Sequence, residues 1–401
     1  MDYEDKESPF QPGFPVSPDY FMGRKKIVDK ILRYVPKVYK GNPQHYFITG
    51  KKGMGKTSLA KYVQNLSNDK LLEVYISNKG NDSLEILTNQ IIEGILSKIP
   101  KNSALEKAKN IFGSIDNLEF NGAKVNFKPK SELSKDIIND FAYYLNKFYK
   151  DLPNNKGIFL VIDDINGFSE SKEFANWYKR LVDIMTVNDE YNIPIYFLLA
   201  GYPEKFNQLV LQDESFARIF RYDNLDNLSD DEVKDFFIDM FKSQNISINP
   251  DALNLMTEYS SGLPLMMQEI GEDVFWATDT NNVSLDNAIE GIIEAGEIIG
   301  RRQIKPVMDS SIRSKTYNDI FSKLGEYGKD FFRKSEFEKH LNNTEKKAFP
   351  NFLKRATELN ILESVGKDKS GEYKFSNKLY LLYFMILNLP VPRLICVLRP
   401  K

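Results

Sequence analysis

Cysteine and histidine are almost missing from this 401-residue chain, which has one Cys, Cys396, and two His, His45 and His340. A lone cysteine excludes an intrachain disulfide and leaves no Cys cluster for zinc. Two histidines give little material for His-centred catalysis, and each reads as structural. Long apolar runs are also missing. The longest, Leu379 to Leu389, is about half of what a bilayer requires and reads as a buried final helix. The opening residues Met1-Asp2-Tyr3-Glu4-Asp5 are acidic and lack the basic and apolar sections of a signal peptide, so a cytoplasmic location without membrane contact is expected. Net charge is close to balance, at −2, but it is unevenly placed. Residues 201–300 carry roughly fifteen more acids than bases, and residues 301–401 about ten more bases than acids. A basic terminal module suits nucleic acid; it equally suits docking on the acidic middle of the same chain or of a neighbour.

What is present is a phosphate-binding pattern. His45-Tyr46-Phe47-Ile48-Thr49 is apolar and β-favouring, Gly50-Lys51-Lys52-Gly53-Met54-Gly55-Lys56-Thr57 has the spacing G-x-x-x-x-G-K-T, and an amphipathic helical pattern follows from Ser58. Gly50, Gly53 and Gly55 let backbone N–H groups surround an anion, while Lys51, Met54 and Ser58 complete the loop. Lys56 carries charge to β- and γ-phosphates, Thr57 can offer its hydroxyl to Mg²⁺, and the helix adds its positive end. Ile158 to Ile162 is an uninterrupted apolar run that ends in Asp163 and Asp164, as a central parallel strand would. Asp163 can then hold Mg²⁺ directly or through water, and Asp164 can orient or deprotonate an attacking water.

In chain order, the prolines at 9, 12, 15 and 18 predict an extended surface segment over residues 1–19. Tyr20-Phe21-Met22-Gly23-Arg24 is a turn opening a helix, placed to line the base and sugar of a nucleotide. An α/β P-loop core, a parallel sheet with helices on both faces, is expected over 20–225. Alternation around Asn121-Gly122 predicts a hairpin insert near 117–127, either a contact device or an edge extension. Helices are read at 83–99, 134–149 and 171–187, and a buried strand at 193–201. Arg218 and Arg221 lie shortly beyond it; one could reach a γ-phosphate in a neighbouring subunit, or both could pair with the acids that follow. From the capping box Ser229 to Glu232 the pattern becomes all helical, a lid over 226–300. A basic stretch with Pro306 reads as a linker at 301–315. Three short amphipathic helices and two strands flanking Gly366 to Gly371 then predict a winged helix-turn-helix over 316–401. Lys346, Lys347, Lys354 and Arg355 sit around its second and third helices, as DNA contacts or as solvated faces.

Assembled in this order, the chain resembles archaeal and bacterial AAA+ ATPases of the origin-recognition-like and archaeal ATPase groups, which border on the STAND signalling ATPases. The likeness spans 20 to about 386 and rests on Phe21-Met22-Gly23-Arg24, the P-loop, Asp163-Asp164, Arg218, Ser261-Gly262-Leu263-Pro264 and Tyr373-Lys374-Phe375-Ser376-Asn377. It implies ATP as ligand with Mg²⁺, bound by the core and the lid turn at Pro264, and hydrolysis that resets a DNA-binding switch. ATP rather than GTP rests on this likeness, beside the lack of an Asn-Lys-x-Asp motif. It also implies self-association through Arg218; Arg221 remains the other candidate. As no effector domain is attached, an effector would be a separate chain. The STAND likeness implies instead a signalling or scaffold protein whose winged helix meets protein. Three departures from the family stand out. Asp164 replaces the usual Glu, one methylene longer, which implies slow hydrolysis. The sensor strand ends Leu199-Ala200-Gly201-Tyr202, without the usual polar side chain. The lid has Gly-x-Pro in place of a nucleotide-sensing arginine.

Overall fold

The computed structural model describes residues 7–40, 44–78, 83–100, 103–104, 106, 108, 111, 118–121, 124–127, 131–150, 157–187, 193–366 and 371–399. They divide into two compact units, 15–226 and 1–14 with 227–401.

The first unit is built on a parallel five-stranded sheet. Its strands are β1 (His45–Thr49), β2 (Leu71–Ser77), β5 (Gly157–Asp163), β6 (Ile195–Gly201) and β7 (Phe220–Asn224), in the order β2-β5-β6-β1-β7. The three central strands β5, β6 and β1 are buried at every position, as their unbroken apolar sequences demand. Strand β7 escapes a sequence reading, because Arg221, Asp223 and Asn224 interrupt any apolar pattern. It qualifies as an edge, paired on one side only and exposed along much of its length. The hairpin forms as β3 (Leu118–Asn121) and β4 (Lys124–Phe127); of the expected Asn121-Gly122 turn, Asn121 is in β3 and pairs with Lys124, and Gly122, like Ala123, lies outside the described residues.

Helices cover both faces. Ile158, Leu160 and Ile162 of β5 join one apolar cluster with α3 (Leu84–Leu96), α4 (Ser131–Asn139), α5 (Phe141–Lys150), α6 (Lys172–Val187) and α7 (Pro203–Gln212). The alternate residues face α1 (Lys25–Leu32) and α2 (Lys56–Asn65). There Gln64 Nε2 of α2 donates to the carbonyls of Val74 and Phe159, at 3.0 and 2.9 Å, and Tyr196 OH donates to Ile31 O at 3.3 Å. The helix expected over 134–149 is two helices, α4 and α5, that meet at Asp140. A short α8 (Phe216–Ile219) carries Arg218.

The second unit is largely helical: α9 (Asp230–Ser243), α10 (Pro250–Ser260), α11 (Pro264–Ala277), α12 (Leu285–Ile299) and α13 (Lys305–Ser311). The capping box at Ser229 and Glu232 is present. Strands do not cease entirely, since β8 (Ser247–Ile248) and β9 (Asn282–Val283) form a short parallel pair. The stretch read as a linker is mostly helical: a π-turn over Gly300–Ile304 runs into α13. Its cause is packing, because Gly300 lies against the ring of Tyr383, Ile304 is buried, and Arg301 pairs with Glu297 one turn back. The N-terminal segment lies on the surface at Gly13, Phe14 and Pro15 but is buried at Pro9 and Phe10. Phe10 is only 4% exposed, packed between Phe236 and Phe241 of α9 and against Gly271 of α11. The Gln11 amide donates to Gln268 Oε1 at 2.8 Å, and Ser8 Oγ donates to the Glu272 carboxylate.

Residues 315–388 hold α14 (Lys315–Tyr327), α15 (Lys334–Phe337), α16 (Asn343–Glu358) and α17 (Lys378–Asn388), with β10 (Phe331–Arg333), β11 (Leu362–Ser364) and β12 (Glu372–Phe375). The strands make an antiparallel sheet in the order β10-β12-β11. Phe321 of α14 stacks on Phe384 of α17 at 4.6 Å and lies edge-on to Phe352 of α16 at 4.7 Å, an aromatic centre for these helices. Beyond Pro390, α18 (Val391–Leu398) follows, so α17 is not the final helix; Leu394 and Leu398 are its buried side.

Candidate nucleotide site

The site forms where the central strands of the first unit end. Gly53 and Gly55 have φ of 82° and 77°, a region closed to most side chains, and Gly55 caps the N-terminus of α2. The chain therefore bends over the sheet and starts a helix at Lys56, whose first N–H groups have no helical partner. Lys56 Nζ donates to the carbonyls of Gly50 and Lys51, at 2.7 and 3.0 Å, and stands 4.9 Å from the ring centre of Tyr202. Burial pushes its pKa below the ordinary lysine value; the carboxylates of Asp163, Asp164 and Glu204 oppose that shift, and Arg24 adds to it.

Strand order does not set Asp163 directly beside the loop strand, because β6 lies between β5 and β1. The first turn of α2 closes the gap. Thr57 Oγ1 donates to Asp163 Oδ2 at 2.6 Å, and Asp163 is 7% exposed. A second hydroxyl reaches the same oxygen: Tyr75 OH donates to it at 2.5 Å, while Asp163 Oδ1 accepts from the Asp164 amide at 3.0 Å. Burial, and then the Asp163 charge, raise the Tyr75 pKa, so its proton stays on. Sequence reading missed Tyr75. The one available signal was a tyrosine near the end of the strand that could flank the acidic one. A buried carboxylate and a threonine hydroxyl are hard oxygen donors, which fits Mg²⁺.

Asp164 has a left-handed backbone, φ 59° and ψ 53°, that turns the chain from β5 into a 3₁₀ turn at Ile165–Phe168. Its carboxylate accepts from the Asn166 side-chain amide. Asn166 Oδ1 in turn accepts from the Tyr202 amide at 3.0 Å, at the end of β6. Asn78, just past β2, donates its N–H to Asp163 O at 2.9 Å and its side-chain amide to Asp164 O at 3.3 Å.

Among the residues expected to line the nucleotide, Arg24 is buried and left-handed, at φ 57°, and its guanidinium donates to Met54 O at 2.8 Å and Asp226 O at 3.2 Å. It braces the loop from behind. Gly23 precedes it, also at positive φ, and Phe21 stacks on Tyr62 of α2 at 4.5 Å. Ser58 Oγ accepts from the Val16 amide at 3.2 Å, and Lys51 is exposed. Pro264 belongs to the second unit, at the first position of α11, after Gly262. Arg218 is exposed, and its side chain makes no ion pair among the described residues. Arg221 Nε donates to Gln44 Oε1 at 2.7 Å, with its guanidinium 5.7 Å from the Tyr34 ring centre.

Residues 20–175 match the model of the AAA ATPase domain family. No curated protein matches the chain in sequence. Among solved structures, the Aeropyrum pernix ORC2 protein in its ADPNP–ADP complexes is similar at 13% identity and a TM-score of 0.57, over 98% of this chain and 95% of that one. Its ADP form is similar at 14% identity and a TM-score of 0.51, over 97% of this chain and 96% of that one. The Walker-type ATPase paby2304 of Pyrococcus abyssi is similar at 14% identity and a TM-score of 0.51, over 96% and 99%. Identities this low speak for the fold alone. The chain thus carries a stretch that matches the AAA ATPase domain, within a fold shared along nearly its whole length with these solved structures.

Proposed function

We propose that the chain is an ATP-binding, slowly hydrolysing ATPase that acts as a nucleotide-controlled switch on double-stranded DNA. The observation that carries the reading is the meeting of Lys56, Thr57 and Asp163 at one end of a parallel sheet, with Thr57 Oγ1 and Asp163 Oδ2 2.6 Å apart. An incoming triphosphate competes for Lys56 with two neutral carbonyls, and its anionic oxygens would attract the ammonium more strongly than those carbonyl dipoles do. Thr57 and Asp163 would hold Mg²⁺, which when bound neutralises charge on the β- and γ-phosphates. The loop amides of Gly53, Gly55 and Lys56 would orient the phosphates, and Asp164 would orient the attacking water. Slowness rests on Asp164, shorter than glutamate, and on a sensor strand that ends in Ala200 and Gly201. Arg218 is a better candidate than Arg221 for a role in a neighbouring subunit, since Arg221 is engaged by Gln44 and Tyr34. The test is nucleotide binding: Lys56→Ala should lose ATP affinity or turnover, and unchanged values in that variant would sink the site.

The output is read as a winged helix at 315–388, in which α15 and α16 form the helix-turn-helix and β11 with β12 the wing. Lys346, Lys347 and Lys354 are exposed on α16 and make no ion pair among the described residues. In a titration of labelled duplex at two salt concentrations, binding should weaken steeply with salt. Replacing all three lysines by alanine should reduce the log–log slope by about three. A second reading, contact with a protein partner in a signalling or scaffold role, has its own support. Arg333, Arg355, Lys374 and Lys378 are each paired with a glutamate, so these four cations are already engaged within the chain. Absence of duplex binding even at low salt would favour it.

A further inference from the structure

We infer that Asn166 is a positioning residue for Asp164, a role that rests on the reading of Asp164 as the group that orients the attacking water. Asp164 is short for that task, and it sits at the left-handed turn out of β5, two residues before Asn166. Asn166 supplies the aim. It lies two residues on, in the 3₁₀ turn, and donates its amide N–H to one Asp164 oxygen. The Asn166 side chain is itself oriented from the other side, where its Oδ1 accepts the Tyr202 N–H at 3.0 Å. Two further contacts hold the turn in place: Ser169 Oγ donates to Asn166 O at 2.9 Å, and Gly201 is close enough that a Cβ there would stand 3.3 Å from Asn166 Oδ1.

One amide thus joins the end of β5 to the end of β6, and fixes one oxygen of Asp164 while leaving the other for water. Tyr202, whose backbone holds Asn166, also places its ring 4.9 Å from Lys56 Nζ. The strand end that aims Asp164 therefore also meets the phosphate-binding lysine. Asn166 touches no substrate in this scheme and acts only through Asp164.

The experiment is a double-mutant cycle on the full chain, with ATP affinity and single-turnover hydrolysis measured separately. Asn166→Ala should lower the hydrolysis rate about tenfold or more, while ATP affinity stays within about twofold. In an Asp164→Ala background the same change should cost nothing further, because the residue it acts through is gone. Asn166→Asp discriminates aim from scaffolding: it keeps the acceptor for the Tyr202 N–H but can no longer donate to Asp164. It should be as slow as Asn166→Ala. Near-normal hydrolysis in Asn166→Asp, or a full additional loss in the Asp164→Ala background, would overturn the inference. Normal hydrolysis in Asp164→Ala alone would instead overturn the reading of Asp164 on which it rests.

Discussion

His45 begins the strand that leads to the phosphate loop, and it is fully buried. Its Nδ1 accepts the Phe197 N–H at 3.2 Å, and Nε2 meets no hydrogen-bond partner among the described residues. Rings of Tyr178, Phe197 and Phe220 surround it, so burial lowers its pKa to about 3. The sequence reading of a structural histidine fits these surroundings. The folded value lies below the unfolded value of about 6.5, so the unfolded chain binds the extra proton, and stability is lost as pH falls from 6.5 toward 3. His45→Asn keeps an acceptor for Phe197 but cannot titrate. Between pH 6.5 and 5 the wild type should lose roughly 2 kcal/mol more than this variant in denaturant unfolding. Equal losses would mean that His45 is not held neutral. At the same scale, Tyr75 and Asn166 were illegible in the sequence. Their residue types are common, and only the pairing of β2 with β5 and the turn after β5 bring them to Asp163 and Asp164.

Elements were legible where burial was uniform and obscure where it was mixed. β1, β5 and β6 announce themselves because both of their faces are covered, whereas β7 has one buried end and an otherwise polar surface. The N-terminal segment is the larger surprise, since its prolines suggest an extended surface strap, yet Phe10 is buried in the helical unit. A Cβ on Gly271 would stand 2.1 Å from the Phe10 ring, so the helix surface is shaped for that ring. Phe10→Ala should destabilise the protein by about 3 kcal/mol, as for other buried phenylalanines. Gly271→Ala should also destabilise the wild type, yet cost little in the Phe10→Ala background, where the space is vacant. Additive losses in thermal unfolding would show that the two do not meet. The linker over 301–315 failed for a related reason: Pro306 lies in the first turn of α13, where it needs no N–H, so proline there starts a helix and does not mark a loop.

For the whole molecule, nucleotide binding should appear as stability. Mg²⁺ with ATP at one hundred times its dissociation constant adds about 2.7 kcal/mol to a protein that binds it only when folded. The melting temperature should therefore rise with ATP in the wild type and not in Lys56→Ala; a rise that survives in the variant would place the nucleotide elsewhere. The sequence by itself determined the glycine-rich turn into α2, the central strands and the paired acids at the end of β5, because each is written in consecutive residues with a local physical meaning. Glycines permit the turn, apolar runs require burial on both faces, and carboxylates at a strand end mark its open edge. Only the tertiary structure decided what surrounds them. The order β2-β5-β6-β1-β7 separates Asp163 from the loop strand by one strand and leaves Thr57 to bridge the distance. The register of β2 on β5 brings the Tyr75 hydroxyl to Asp163, and the end of β6 sets Tyr202 against Asn166 and Lys56. These contacts join residues tens of positions apart through backbone pairing, and pairing between strands is a property of the sheet that no single stretch of sequence carries.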